Sequence, residues 1–332
     1  MKVAIIGAGN VGAMVASRVI DADLADVVLV DIVPGMAKGK ALDISDVRPI
    51  VNSSADIIGT ENFEDMKGSD IVVITAGLAR KPGMSRDDLL KKNSEIIKNL
   101  SLQIKNYCPS SIVIVVTNPL DVMSYLVIKT AGFDPKKVIG MAGVLDTARF
   151  INVLREKNID INRKGSSRLA SYIRFAQYFL RSLARRILFE RGQRPSRELS
   201  QEILMMGSHG DTMVPVSRSK NIPDSVFKEA SELARNRGAE IVKYLGTGSA
   251  YFAPSASVFF MLKAIIKNEK KTMCASAYLK GQYGEKDIYI GVPVILGSQG
   301  IEKIIEIELT EEEKRAFKES ARQIRESIAK TL

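Results

Sequence analysis

The chain contains one histidine, His209, set between glycines in Gly207-Ser-His-Gly-Asp211. Imidazole is the side chain whose charge ordinarily changes near neutral pH, so a protein that moves a proton at pH 7 has one evident donor here. A solvent-exposed loop histidine is the plain alternative. The flanking glycines, which shape a tight loop, and the neighbouring chemistry weigh against it. Leu145-Asp-Thr-Ala-Arg149 places Asp146 and Arg149 three apart, on one face of a helix. The pair suits an internal salt bridge. It equally suits a proton-transfer site, where a carboxylate orients an imidazole and stabilises its charged form. Arg149 offers a planar fork matched to a carboxylate. Arg80-Lys-Pro-Gly-Met-Ser-Arg86 has the glycine and proline density of a loop, and its arginines suit solvent as well as a ligand. Thr117-Asn-Pro-Leu-Asp121 follows the apolar run Ile112–Val116. In an open α/β sheet, ligands bind beyond the carboxyl ends of strands, which is where Asn118 falls.

A second constellation lies at the start of the chain. Gly7-Ala-Gly9-Asn-Val-Gly12 follows an apolar run and precedes a helical stretch. The first glycine permits the turn, the second lets a pyrophosphate approach the backbone, and the third lets helix and strand pack closely. The helix then presents N–H groups and a positive dipole end to the phosphates. Asp31 lies nineteen residues beyond Gly12. A carboxylate there accepts from a ribose diol and repels a 2′-phosphate, which favours NAD over NADP. The bland alternative is a strand-end turn residue.

These residues need elements to hold them. Apolar runs at Val3–Ile6, Val27–Val30, Ile71–Thr75 and Ile112–Val116 alternate with helix-length stretches such as Ser85–Asn106 and Leu120–Ala131. Strands apolar on both faces and separated by helices predict an α/β fold: a doubly wound, Rossmann-type parallel sheet over residues 1–142. The pattern then changes. A helix is expected over Val144–Lys157, a hairpin at Asp287–Leu296 with Gly297, a strand over Ile301–Leu309, and a C-terminal helix opened by the capping box Thr310-Glu-Glu-Glu313. Residues 143–332 therefore read as an α+β catalytic domain. No repeat or low-complexity linker separates the two halves.

The two cysteines, Cys108 and Cys274, imply no disulfide framework and fit a reducing compartment. No signal-peptide pattern precedes Lys2-Val-Ala-Ile-Ile, and no apolar run approaches the ~20 residues of a membrane span, so a cytoplasmic location is expected. The net charge of +10 is concentrated: residues 163–198 hold ten basic and two acidic side chains, or +8, leaving +2 for everything else. Overall charge therefore says little about partners, and nucleic acid is not expected.

Together the motifs resemble the lactate/malate dehydrogenase family, most nearly its lactate-dehydrogenase-like malate dehydrogenase branch. The resemblance is carried by Gly7–Gly12, Asp31, Arg80–Arg86, Thr117–Asp121, Gly143–Phe150, Gly207–Asp211, Gly248–Pro254 and Tyr289–Gly297, in that order. It implies reversible oxidation of malate to oxaloacetate with NAD, a step of the tricarboxylic acid cycle, in a homodimer or homotetramer. It also implies roles. His209 would donate and accept the proton, with Asp146 as partner. Arg149 would bind the carboxylate beside the reacting carbon, and Arg86 would polarise the carbonyl. Asn118, after a cis peptide bond to Pro119, would serve substrate and nicotinamide. Gly7, Gly9, Asn10, Val11, Gly12, Asp31, Asn93, Thr117 and Asn118 would form the NAD site, and no metal is implied. Arg80 would select the substrate. Facing pyruvate's methyl it is an unpaired buried charge; facing a second carboxylate it makes a charge-assisted pair. Ala250 would keep that side of the pocket small.

Two stretches depart from the family. About thirty-three extra residues intervene at roughly 165–198, and the stretch between Val216 and Val226 is about ten residues short. In the extra segment Leu169, Ile173, Ala176, Leu180, Leu183 and Ile187 recur at helical spacing, opposite Arg174, Arg181 and Arg185. Three readings of it stay open: packing on this subunit or a neighbour, reversible contact with an anionic membrane, or a translation artefact that does not pack. For the whole chain, a lactate or other 2-hydroxyacid dehydrogenase and a non-catalytic NAD-binding, membrane-associated protein remain the alternatives. Arg80 argues against the former. The full set His209, Asp146, Arg149, Arg86 and Asn118 argues against the latter.

Overall fold

The structure is a computed structural model that describes residues 1–78, 85–157, 159, 203–219 and 221–331, with the Arg86 side chain left aside. Arg80 and the basic segment 165–198 lie outside the described residues.

The first strands are β1 (Lys2–Ile6), β2 (Asp26–Val30), β3 (Ile57–Thr60), β4 (Ile71–Ile74), β5 (Ile112–Val115) and β6 (Val138–Gly140). They pair in parallel in the order 3-2-1-4-5-6. β1 and β4 are apolar on both faces because helices cover both: Val3 to Ile5 and Ile71 to Ile74 are wholly buried. The connecting helices are α1 (Asn10–Asp21), α2 (Met36–Val51), α3 (Arg86–Tyr107) and α4 (Leu120–Ala131). Ser85 and Asp88 form a reciprocal capping box on α3, which makes Arg86 its first residue.

The second half contributes α5 (Ala142–Glu156), β7 (Ile203–Gly207), β8 (Met213–Ser217), α6 (Asp224–Leu245), α7 (Phe252–Ile266), β9 (Lys271–Lys280), β10 (Lys286–Gly297), β11 (Gly300–Ile304) and α8 (Glu311–Ala329). Its strands are antiparallel and continue the same sheet, joined to β6 where Gly140 faces Ser276. The expected capping box at Thr310 is present, with Glu313 bonded back to the Thr310 N–H. Three details differ from the sequence expectations. The hairpin expected at Asp287–Leu296 is one unbroken strand, because Ile288 to Leu296 all pair with β9, and the chain reverses only after it, between Gly297 and Gly300. β9 was not anticipated, because Cys274, Ala275, Ser276 and Ala277 carry little strand preference. Their small size serves packing: a side chain at Gly143 of α5 would stand 2.4 Å from the Cys274 Cβ. The strand expected over Ile301–Leu309 ends at Ile304. Beyond it, the Tyr283 hydroxyl donates to the Ile305 carbonyl (2.8 Å) and accepts from the Ile307 N–H (3.0 Å), replacing a ladder.

One apolar core runs through the sheet and its helices. A smaller one, with Phe150, Val153, Ile203, Met205 and Ala234, joins α5, β7 and α6. That second core sets the relation between α5 and the chain beyond β7. The stretch read as shortened after Val216 falls where β8 ends at Ser217 and α6 begins at Asp224. Among the described residues no helix is long and apolar enough to cross a membrane.

Candidate active site

The glycine loop joins β1 to α1. Gly7 has φ +105°, and a side chain there would stand 2.6 Å from the Ala76 nitrogen. A side chain at Gly12 would stand 1.9 Å from the Gly7 carbonyl oxygen. At Gly9 it would meet nothing within 4 Å. The outer two glycines are thus required by the protein's own packing, and the middle one opens to solvent. No side chain caps α1, so the N–H groups of its first turn, from Asn10, Val11 and Gly12, face that open side. Asp31, directly after β2, accepts from the Ala8 N–H (2.6 Å) and the Val33 N–H (2.9 Å). These bonds hold its half-buried carboxylate beside the loop.

The next part forms beyond β4 and β5. Thr117 is buried and donates to the Ala76 carbonyl (2.6 Å), tying the two strand ends together. Asn93 on α3 is wholly buried. Its amide accepts from the Leu78 N–H (2.8 Å) and donates to the carbonyls of Leu78 (3.2 Å) and Asn118 (2.7 Å). Both its donors are used on backbone, so Asn93 acts as a strut between these loops. The Asn118–Pro119 bond is cis, and the Asn118 side chain is exposed at the carboxyl end of β5.

The proton-transfer part sits on α5 and the loop after β7. The Met205 N–H donates to Thr147 Oγ1 (3.0 Å), which fixes β7 against α5. His209 then meets Asp146: Nδ1 lies 2.8 Å from Oδ2, and Asp146 is only 2% exposed. With Nδ1 engaged, Nε2 is the nitrogen left for a substrate. Arg149 Nη1 lies 3.7 Å from Asp146 Oδ1. Asp146 Oδ1 and Arg149 Nε are buried and carry no hydrogen bond among the described residues. Across α6, Gly238 passes under the guanidinium, 3.7 Å from where its Cβ would stand.

Three further contacts hold the histidine loop. The Ser208 N–H donates to Ser320 Oγ on α8 (2.7 Å), the His209 N–H donates to Asp121 Oδ2 (2.9 Å), and Ser276 Oγ donates to Asp121 Oδ1 (2.6 Å). Burial works against a charged imidazole, but the charge and hydrogen bond of Asp146 outweigh it, so the His209 pKa is raised above its ordinary value. Burial raises the Asp121 carboxyl to about 6 despite its two hydrogen bonds. Burial also lowers the Arg149 guanidinium, which Asp146 partly offsets.

A buried Asp–His pair with a guanidinium beside it can exchange a proton with a ligand whose carboxylate the guanidinium holds, and sequence comparison names the family. The family model described as the lactate/malate dehydrogenase NAD binding domain matches residues 1–140, and that described as the alpha/beta C-terminal domain matches residues 184–332. The chain belongs to the lactate/malate dehydrogenase family. Within it, a malate dehydrogenase of Bacillus israeli is 43% identical over all of this chain and 98% of its own length. One of Methanosarcina mazei is 41% identical over 99% of each. A solved malate dehydrogenase of Salinibacter ruber superposes with a TM-score of 0.82 at 38% identity, covering 99% of this chain and 97% of its own. A family lactate dehydrogenase from Cryptosporidium parvum, solved with lactic acid and nicotinamide adenine dinucleotide, gives 0.81 at 34% identity, with the same two coverages.

The structure brings together His209, Asp146 and Arg149, and separately the glycine loop and Asp31. Asn93, Thr117 and Asn118 lie in one network between these groups. Arg80 is not placed, and Arg86 is placed only by its backbone. Residues that sequence reasoning did not single out are Asp121, Ser276 and Lys40, whose Nζ donates to the Ala8 carbonyl (2.7 Å). Asp121 stood inside a motif already noted, but an acid in the first turn of a helix has an ordinary explanation. Ser276 gave no signal, because its place depends on the pairing of β9 with β6.

Proposed function

We propose that the chain is an NAD-dependent malate dehydrogenase, interconverting malate and oxaloacetate, with residues 1–142 as the NAD-binding domain, which also lends Arg80, Arg86 and Asn118 to the substrate, and 143–332 as the catalytic domain. The observation that carries the mechanism is the buried 2.8 Å contact between His209 Nδ1 and Asp146, with Arg149 alongside.

The cofactor fits the residues present. Open space at Gly9 and the uncapped start of α1 suit a pyrophosphate, and Asp31 suits a ribose diol. Bound NAD supplies the hydride acceptor, or in its reduced form the donor. The chain's own residues do the rest. Arg149 takes the carboxylate next to the reacting carbon in a two-point charge-assisted contact. Arg86 polarises the carbonyl, and Arg80 pairs with the distal carboxylate. Neutral His209 takes the hydroxyl proton during malate oxidation through Nε2, and Asp146 stabilises the imidazolium that results. In oxaloacetate reduction the imidazolium returns the proton. Asn118 orients the substrate at the nicotinamide end, with Asn93 and Thr117 holding its loop.

The raised His209 pKa sets the pH dependence. Oxaloacetate reduction needs imidazolium, so its kcat/KM falls as pH rises through a value above that of an ordinary histidine. Malate oxidation needs the neutral ring and rises through the same value. In the cell, the reading is a cytoplasmic homo-oligomer, dimer or tetramer, acting in the tricarboxylic acid cycle. The test is NADH absorbance with oxaloacetate, then with pyruvate, then with His209→Gln. Oxidation with oxaloacetate in large excess over pyruvate is expected. Turnover with pyruvate alone would make the chain a lactate dehydrogenase, and turnover with neither would remove the enzymatic reading.

A further inference from the structure

Asp121 is a buried carboxylate with both oxygens committed inside the protein. Oδ2 accepts the His209 main-chain N–H at 2.9 Å and Oδ1 accepts the Ser276 hydroxyl at 2.6 Å. It opens α4, three residues after Asn118, whose carbonyl is held by Asn93 at 2.7 Å. One four-residue segment therefore carries both the side chain read as facing substrate and nicotinamide and the anchor of the histidine. His209 is gripped at two points, its ring by Asp146 from α5 and its main chain by Asp121 from α4.

Hydrogen bonding alone does not explain an acid here. An asparagine would accept from the His209 N–H through its carbonyl and donate to Ser276 through its amide. It would do so without the desolvation that pushes this carboxyl up to about 6. The feature needing explanation is the charge. Among the described residues, the charged and titratable groups that act on His209 are Asp146 and Arg149 on α5 and Asp121 on α4. Cys274 of β9 sits against Asp146, and burial raises its thiol. Asp146 is shared with Arg149, so a second negative charge, held at the His209 main chain, favours the imidazolium that forms when malate gives up its proton.

We propose that Asp121 is a positioning residue of the reaction: it fixes the His209 main chain relative to Asn118, and its negative charge supports the imidazolium. The proposal rests on His209 being the proton acceptor. It assigns Asp121 no contact with substrate. It also gives Ser276 a role, since its hydroxyl keeps Asp121 ionised and aimed.

The test measures kcat/KM for malate oxidation against pH, with NADH affinity by fluorescence, in the full chain and in Asp121→Asn, Asp121→Ala, Ser276→Ala and His209→Gln. Asp121→Asn keeps the hydrogen bonds and loses the charge, so the rising limb of the profile should move to lower pH by about half a unit or more. NADH affinity should stay within about twofold, since Asp121 is not a cofactor contact. Asp121→Ala should lower kcat about tenfold or more, by releasing the loop, with little change in KM for NAD. Ser276→Ala should move the limb the same way by less. A limb unmoved in Asp121→Asn, in protein that still binds NADH, overturns the proposal. If Asp121→Asn does not bind NADH, an unmoved limb in Ser276→Ala overturns it instead. His209→Gln separates the two ideas. If it keeps turnover and its pH limb, the histidine reading fails. If it abolishes turnover while the Asp121→Asn limb stays put, only the role of Asp121 fails.

Discussion

The glycine loop and the histidine loop are built in opposite ways. The first is made by what side chains leave out. Gly7 and Gly12 are excluded from bearing a Cβ by the Ala76 nitrogen and the Gly7 carbonyl, and Gly9 leaves room for a ligand. The second is made by what side chains put in. Asp146, Asp121 and Ser320, on three different helices, each hold one group of the Gly207–Asp211 loop. A steric requirement of the first kind selects a single residue type and so leaves a motif. A set of hydrogen bonds of the second kind is met by common residues far apart in sequence, and only the histidine itself stands out.

The sharpest way to break this contrast is His209→Gln. Losing a general acid–base should lower kcat about 10²- to 10⁴-fold, while NADH affinity, set by the other loop, stays as it was. A parallel loss of NADH affinity in fluorescence titration would mean that the two loops are not separate devices. Arg80→Gln comes next, and asks whether substrate choice follows from one residue type as the glycine motif does. kcat/KM for oxaloacetate should fall on the order of 10²-fold, and that for pyruvate should rise, because an unpaired distal carboxylate replaces a charge-assisted pair. If both values stay unchanged, Arg80 does not face the distal carboxylate.

The glycines give a paired experiment of smaller size. Gly12→Ala forces a Cβ against a backbone oxygen at 1.9 Å, so thermal unfolding should show destabilisation of about 1–3 kcal/mol. Gly9→Ala meets nothing in the protein, so its Tm should not change. Its methyl would instead stand where the cofactor's phosphates approach, and NADH affinity should fall about tenfold, or ~1.4 kcal/mol. Equal effects of the two substitutions on Tm would show that Gly9 is kept for packing, not for the cofactor.

The same contrast explains what could be read in advance. The parallel sheet was legible because its strands are buried on both faces and spelled in β-branched residues, as in Ile71–Ile74. The lactate/malate family was legible because several steric and chemical motifs appear in order. β9 was not, because its middle is small residues chosen to let α5 approach. Asp121 and Ser276 were not, because a helix-start acid and a strand serine acquire meaning only from the register that sets Ser276 opposite Gly140. The contact of Asp146 with His209 joins positions 63 apart. It could be anticipated from chemical complementarity, but its geometry depends on Thr147 holding β7 to α5.

The smallest effect tests the weakest of the histidine-loop anchors. Ser320 on α8 accepts the Ser208 N–H at 2.7 Å through a hydroxyl that is wholly buried, and also lies 3.3 Å from the Thr212 hydroxyl. Ser320→Ala keeps the helix and the core volume nearly unchanged but leaves that N–H without its acceptor. The cost should be about 1 kcal/mol in stability by denaturant unfolding. Because Asp121 and Asp146 still hold the next residue, kcat should fall by no more than about fivefold, which is ~1 kcal/mol of barrier. A drop comparable to that of His209→Gln would mean that α8, and not the pair of carboxylates, sets where the imidazole stands. The loop would then be positioned from the far end of the chain.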